Sequence, residues 1–425
     1  MKLEPYWRDT APRFTKASTD LLEGHFDVAI VGAGFTGLSA ARTLAIAGAT
    51  VAVLEAGEVM GEASGRNGGH CNNGLARDFS GAVASLGLER SIALYKAFDQ
   101  AVDSVEAVIA DEAIDCDFRR SGKIKLAAKP EHFSGLAKSF ELMAKHVEPD
   151  AELVAEKDVR REIGSDLVYG GVIYPRSAQM HMGRFGTGLA DAATRHGARI
   201  FERAPVIRLE RRNGYSHRVT TSRGFIEAKQ VLLATGTSRC GPFSYWRRRI
   251  IPIGSFIIVT EPLSANLASS IMPTRRTATT TKNIGHYFRL TPDNRLVFGG
   301  RARFALSSPR SDAKSGRILE RQMLQLFPQL RGTKIDYCWG GLVDMTADRL
   351  PRAGEHDGLF YAMGYSGHGT QMSVHMGQAM AKAMMGVSSA NPLADLDWPA
   401  IPGHFGPPWF LPFIGGYYRL VDYFT

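Results

Sequence analysis

The segment that most constrains this chain is Asp27-Val28-Ala29-Ile30-Val31 followed directly by Gly32-Ala33-Gly34-Phe35-Thr36-Gly37. The β-branched run reads as a buried parallel strand, and the Ala- and Leu-rich stretch from Leu38 reads as a helix that Gly48 ends. Thr50 to Glu55 reads as a second strand. A chain that turns this tightly from strand to helix needs Gly32 for the turn, Gly34 so that backbone can approach a pyrophosphate, and Gly37 for close helix packing. The helix start, with Phe35 and Thr36, then offers free N–H groups and the positive dipole end to phosphates. Glu55, with Ala56 behind it, lies about twenty residues on, where a carboxylate accepts from both ribose hydroxyls. The pattern predicts a dinucleotide site and leaves FAD and NAD both open.

At 425 residues the chain is long enough for two or three domains. Hydrophobic residues at 44% against 22% charged describe a globular protein, and no segment reaches the ~20 apolar residues of a bilayer span. The first residues lack the apolar run of a signal peptide, so a cytoplasmic location is expected. Cys71, Cys116, Cys240 and Cys338 lie too far apart for a zinc site or redox dithiol, so reduced thiols and no metal are expected. Apart from Trp246-Arg247-Arg248-Arg249, read as solvated surface, the basic residues behind the net charge of +9 are scattered, which argues against a nucleic-acid partner.

Further along stand Ala63-Ser64-Gly65-Arg66-Asn67-Gly68-Gly69, Tyr287-Phe288-Arg289-Leu290-Thr291 with Asp293-Asn294-Arg295-Leu296, and Gly364-Tyr365-Ser366-Gly367-His368-Gly369. With the glycine fingerprint these segments resemble the D-amino acid oxidase superfamily of flavoenzymes, and within it the gamma-glutamylputrescine oxidase group. The likeness runs from about residue 20 to the aromatic tail. It implies an α/β fold: a discontinuous Rossmann-type FAD-binding domain from 20–85, 150–245 and 340–390. An α+β substrate domain on a mixed sheet would come from 86–149 and 246–339, with an aromatic tail at 391–425.

The cofactor contacts implied by the resemblance add Ser64, Arg66, Asn67 and Gly68, then Val206 meeting adenine, Thr235 and Gly236 at a small-residue turn, and Gly364, Gly367, His368, Gly369 and Thr370. Their glycine-rich loop would present N–H groups to the flavin pyrimidine ring. Noncovalent FAD is expected, since His70 does not match the spacing of relatives that attach flavin through histidine.

No second strand-glycine-helix unit follows, so NAD(P)H is not expected as redox partner, and without paired cysteines oxidation of a C–N bond leads. The substrate would be a small amine. Electrons would pass to O2, giving H2O2, or to another acceptor such as a quinone. For the substrate side, strand alternation puts Tyr287 and Arg289 on one face. Arg289 is read either as a carboxylate clamp or as an ion-pair residue; Arg301 and Arg303 raise the same question. Gln371 stands where related sarcosine oxidases place a carboxylate-binding lysine, which weakens the case for an alpha-amino acid substrate. Lys282 is a candidate for electrostatic oxygen activation. His368 is read as structuring its loop and Trp339 as packing. The tail Trp409 to Tyr418 would pack on the second domain, with peripheral membrane contact or an oligomer interface as its other uses.

Overall fold

Residues 1–212, 216–238, 241–300 and 308–424 are described in the computed structural model; Arg301, Arg303 and Cys240 lie outside them. His25–Val31 forms the inner strand of an eight-stranded sheet, flanked in parallel by Val51–Leu54 and Gly224–Leu233. Arg199–Phe201 extends the sheet in parallel beyond Val51–Leu54, and Leu359–Met363 does so beyond Gly224–Leu233. Antiparallel strands Ser216–Thr221 and Val206–Arg212 branch from Gly224–Leu233, and Arg352–His356 closes the far edge. The strands come from three separate stretches of the chain, which is the expected Rossmann-type arrangement.

The fingerprint folds as its residue types require. Gly32 has φ +107°, and a Cβ there would stand 2.6 Å from the Ala234 carbonyl oxygen. At Gly37 a Cβ would collide with the Gly32 carbonyl, so the helix Phe35–Ile46 sits tightly on its strand. Across it packs the helix Gly369–Met384, where the Ser39 hydroxyl donates to the Val374 carbonyl at 2.7 Å.

The second sheet also has eight strands, in the order Ile335–Met345, Ile251–Thr260, Leu296–Gly300, His286–Leu290, Thr277–Thr280, Lys123–Leu126, Gly171–Tyr174 and Glu152–Val154. All its pairs are antiparallel except Thr277–Thr280 with Lys123–Leu126, which makes it the expected mixed sheet. Alternation splits its two faces. Ile124, Leu126, Phe256, Phe288 and Phe298 bury themselves in one core with Leu319 and Met323 of the helix Pro309–Leu326. Lys123, Lys125, Thr279, Tyr287, Ser255 and Gly341 line the opposite, cavity side.

Three details depart from expectation. Glu152–Val154 and Gly171–Tyr174 join the second sheet and Ile335–Met345 is one continuous strand of it, so boundaries at 150 and 340 cut through this sheet. Short apolar strands carry no local mark of which sheet they will join; partners far along the chain decide it. The basic run is also less solvated than expected. Arg247 donates to the Gly241 carbonyl at 2.6 Å, and Arg249 to those of Tyr245 and Trp398 at 2.8 and 2.7 Å. The tail, finally, forms a helix over Leu411–Phe424. Leu411 packs with Ile253 and Met345, whereas Phe413, Tyr417 and Leu420 are exposed. Among the described residues, no helix is long and apolar enough to cross a membrane.

Candidate active site

A single continuous cavity of about 1160 Å³ runs from the carboxyl ends of the first sheet's strands to the inner face of the second sheet. Its first half is built on the fingerprint. Gly32, Gly34, Phe35 and Thr36 line it, with Glu55 and Ala56 beside them. The Glu55 carboxylate accepts from the Ala33 and Gly57 amides, each at 2.8 Å, and burial pushes it above the usual carboxylate range. Val206, Thr235 and Gly236 form the adjoining wall.

The Ala63–Arg66 helix and the residues after it supply the next part, with Ser64, Arg66, Asn67 and Gly68 at the cavity surface. Ser64 Oγ accepts from the Phe35 amide at 3.0 Å. Arg66 is held to the carbonyls of Gly61 at 2.7 Å and Gly340 at 3.0 Å, while its own carbonyl accepts from Trp339 Nε1 at 2.9 Å. Trp339 is thus buried packing, and it also fixes Arg66. Asn67 donates to the Ser64 carbonyl at 2.8 Å and accepts from the Gly69 amide at 2.9 Å. From the last glycine-rich loop, Gly367, His368, Gly369 and Thr370 line the cavity.

Several expected site residues do not reach it. Gly37 acts in helix packing. Gly364 lies behind the wall, its amide donating to Asp344 Oδ2 at 2.7 Å. Gln371 is 1% exposed, donates to the Asn72 carbonyl at 2.5 Å and is not among the residues that line the cavity. Arg289 corrects the carboxylate-clamp expectation most clearly. Its side chain is 2% exposed and donates to the Gly68 carbonyl at 3.0 Å, Gln179 Oε1 at 2.9 Å and the Met180 carbonyl at 2.9 Å, and it lies over the Trp7 ring. Its fork is filled by the protein, and among the described residues no carboxylate pairs with it, so the geometry favours neither expected role. Tyr287, by contrast, faces the cavity, with its hydroxyl 2.9 Å from Ser255 Oγ and its ring edge-on to His70 at 5.5 Å. Lys282 lines the cavity from the loop between Thr280 and His286. That loop is tied to the C-terminal helix: Asp422 accepts from the Asn283 and Ile284 amides at 2.9 and 2.8 Å.

The structure adds cavity residues for which the sequence carried no clear sign. Asp344 is buried at the end of its strand, and desolvation pushes its carboxyl up to about 6. Tyr365 lines the cavity with its hydroxyl 2.7 Å from Thr36 Oγ1, joining residues far apart in the chain. Lys123 lies on the second sheet's cavity face, where its Lys-Ile-Lys-Leu alternation reads in sequence as an ordinary solvent-facing edge.

The cavity suits a flavin dinucleotide. At Gly32, Gly34 and Gly68 of its wall a Cβ would stand within 3 Å of neighbouring atoms, and two buried ring nitrogens facing it, His70 Nε2 and His368 Nδ1, have no partner among the described residues. Burial pushes both imidazoles down to about 3, so they line the wall as neutral donors or acceptors.

Comparison with known proteins agrees. The family model described as FAD dependent oxidoreductase (DAO) matches residues 27–383. Gamma-glutamylputrescine oxidoreductase of Escherichia coli is 33% identical over 363 residues, covering 85% of this chain and 84% of that protein. The probable oxidoreductase OrdL of Haemophilus influenzae is 33% identical over 368 residues, covering 85% and 83%. Among solved structures, glycine oxidase from Geobacillus kaustophilus superposes with TM-score 0.70 at 22% identity, covering 90% of this chain and 99% of that one. From fingerprint to glycine-rich loop, the chain belongs to the DAO family of FAD-dependent oxidoreductases.

Proposed function

We propose that the protein oxidises the C–N bond of a small amine of the gamma-glutamylputrescine class and delivers the electrons to O2. In balance, a primary amine, O2 and water become an aldehyde, ammonia and H2O2. The observation that carries this reading is the continuity of the cavity, in which the fingerprint wall and the Tyr287 face enclose one space, so that substrate and cofactor meet directly. The 33% identity to gamma-glutamylputrescine oxidoreductase supports the amine class.

When bound, FAD supplies the acceptor for the two electrons that leave the amine carbon. In our assignment the Gly32–Thr36 turn and helix start hold the pyrophosphate, Glu55 the ribose and Val206 the adenine. Ser64, Asn67, Gly68 and the Gly367–Thr370 loop hold the ring system. FAD is held noncovalently, so acid precipitation should release all of it. Tyr287 and Ser255 share a hydroxyl contact that orients Tyr287 on the substrate side. Lys282 supplies positive charge at the cavity wall for the step with oxygen.

A second reading, an amino acid or N-alkyl amino acid oxidase or dehydrogenase using a quinone or other acceptor, is favoured by the fold likeness to glycine oxidase. Anaerobic titration of the yellow protein with gamma-glutamylputrescine, putrescine, sarcosine, pipecolate and glycine separates the two. Bleaching by an acylated diamine with fast recolouring in air and peroxide formation is the expected result. Bleaching by amino acids alone, with slow recolouring, would establish the second reading in its place.

A further inference from the structure

We propose that Asp422 is a positioning residue of this enzyme: through it the C-terminal helix tethers the loop 281–285, and the tether sets where the Lys282 ammonium stands at the cavity wall. For its kinetic consequence this rests on the assignment of Lys282 to the oxygen step; for the tether it rests on geometry alone. The loop joins two strands of the second sheet, Thr277–Thr280 and His286–Leu290, and Lys282, Asn283 and Gly285 all line the cavity.

The base of the loop is fixed by its own sheet. The Thr281 amide donates to the Leu126 carbonyl at 3.0 Å, Thr281 Oγ1 accepts from the Ala128 amide at 3.1 Å, and the His286 amide donates to Thr280 Oγ1 at 2.8 Å. The return is tight, since a Cβ at Gly285 would stand 2.6 Å from the Lys282 carbonyl oxygen. The tip, next to Lys282 in the chain, takes its partner from far away. The Asn283 and Ile284 amides donate to Asp422 at 2.9 and 2.8 Å, one to each carboxylate oxygen, and Asn283 Nδ2 adds a third bond at 3.0 Å. A carboxylate accepting from amides in this way makes charge-assisted bonds, stronger than those between neutral groups.

The helix gains nothing from this acid on its own account. A carboxylate in the last turn opposes the helix dipole, and the last turn of Leu411–Phe424 holds no basic residue to offset it. The three loop donors supply the compensation. At the other end Leu411, 3% exposed, packs with Ile253 and Met345 of the second sheet, whereas Phe413, Tyr417 and Leu420 between the two ends are exposed. Along the axis Leu411 and Asp422 stand about 16 Å apart. The helix is thus a strut from the second sheet's edge to the loop tip, and because none of its described residues lines the cavity, Asp422 reaches the chemistry only through the loop.

The test compares wild type, D422N, D422E, D422A, K282M and the double variant D422N/K282M as FAD-loaded, full-length protein. Asparagine keeps one acceptor and sets an NH2 donor against the loop amides, so D422N breaks the tether with little change of volume. Amide hydrogen exchange read by mass spectrometry follows the tether without turnover. In D422N the peptide spanning 281–285 should exchange roughly tenfold faster or more, in D422E at a rate nearer wild type, with the peptide spanning 27–37 unchanged. Recolouring of photoreduced enzyme in air follows the consequence. D422N should slow it roughly threefold or more, D422E should restore much of the rate, and the double variant should be no slower than K282M, because both substitutions act on one group. Flavin content near one per chain shows that a variant has folded, and D422A stands in if D422N does not load. Wild-type exchange of 281–285 in D422N would overturn the proposal. So would a loosened loop with unchanged recolouring while K282M is slow, or a double variant in which the two effects multiply. If K282M recolours at the wild-type rate while D422N loosens the loop, the assignment of Lys282 to the oxygen step fails and the tether stands.

Discussion

The Arg289 guanidinium and the Gln179 side-chain oxygen lie 2.9 Å apart behind the cavity wall, and neither residue lines the cavity. Arg289 is a brace that locks the strand His286–Leu290 onto the Gly68 and Met180 carbonyls. Replacing it with Met leaves these acceptors buried and unpaired. Arg289→Met should therefore lower unfolding stability by about 3 kcal/mol or more, read in urea melts. Whatever enzyme folds should keep a near-normal KM; a large KM rise at unchanged stability would return Arg289 to the substrate site.

Gly32 tests the cofactor wall. An alanine there has to adopt φ +107° with its methyl against the Ala234 carbonyl, a strain of about 2 kcal/mol or more at the turn itself. Gly32→Ala should purify colourless and stay so in excess FAD. A yellow, stoichiometrically loaded variant would contradict the assignment of this turn to the pyrophosphate.

His181 caps the helix Met182–Arg195: its Nδ1 accepts from the Arg184 amide at 3.3 Å while Nε2 faces Thr10 Oγ1 at 2.9 Å. Thr10 gives its own proton to the Tyr6 carbonyl, so the ring is neutral with its proton on Nε2. Burial pushes its pKa down to about 4 from the ordinary 6.5. Between these values the unfolded chain binds the extra proton, so this contribution is whole above pH 6.5 and is lost as pH falls towards 4. The loss should approach about 2 kcal/mol by pH 5. His181→Asn, which can still cap, should flatten the melting-temperature profile over that range; an unchanged slope would show that other groups set it.

Lys282 should act only on the oxygen step. Lys282→Met should slow recolouring of the reduced enzyme in air by roughly tenfold or more, with the anaerobic bleaching rate unaltered. Stopped-flow absorbance resolves the two phases, and equal slowing of both would count against this role.

What the sequence determined by itself was local. Strand, glycine turn, helix and acid follow one another within thirty residues, and each step rests on backbone sterics and burial that the residue types carry with them. The family segments extended that to the cofactor and to most of the wall that would hold it. Tertiary structure alone decided what distant residues do to one another. Arg289 and Lys123 are both basic residues on strands with plausible alternation, and nothing in their neighbours along the chain distinguishes them. The carbonyls of Gly68 and Met180 and the amide of Gln179, brought in by folding, use up one cation. The other donates to the carbonyl of Asn73 and faces the cavity, with Glu148 and Asp99 acting on its charge from behind. Hydrogen-bond satisfaction is a property of the packed interior, and at these two side chains it forms only when segments fifty to more than two hundred residues apart meet.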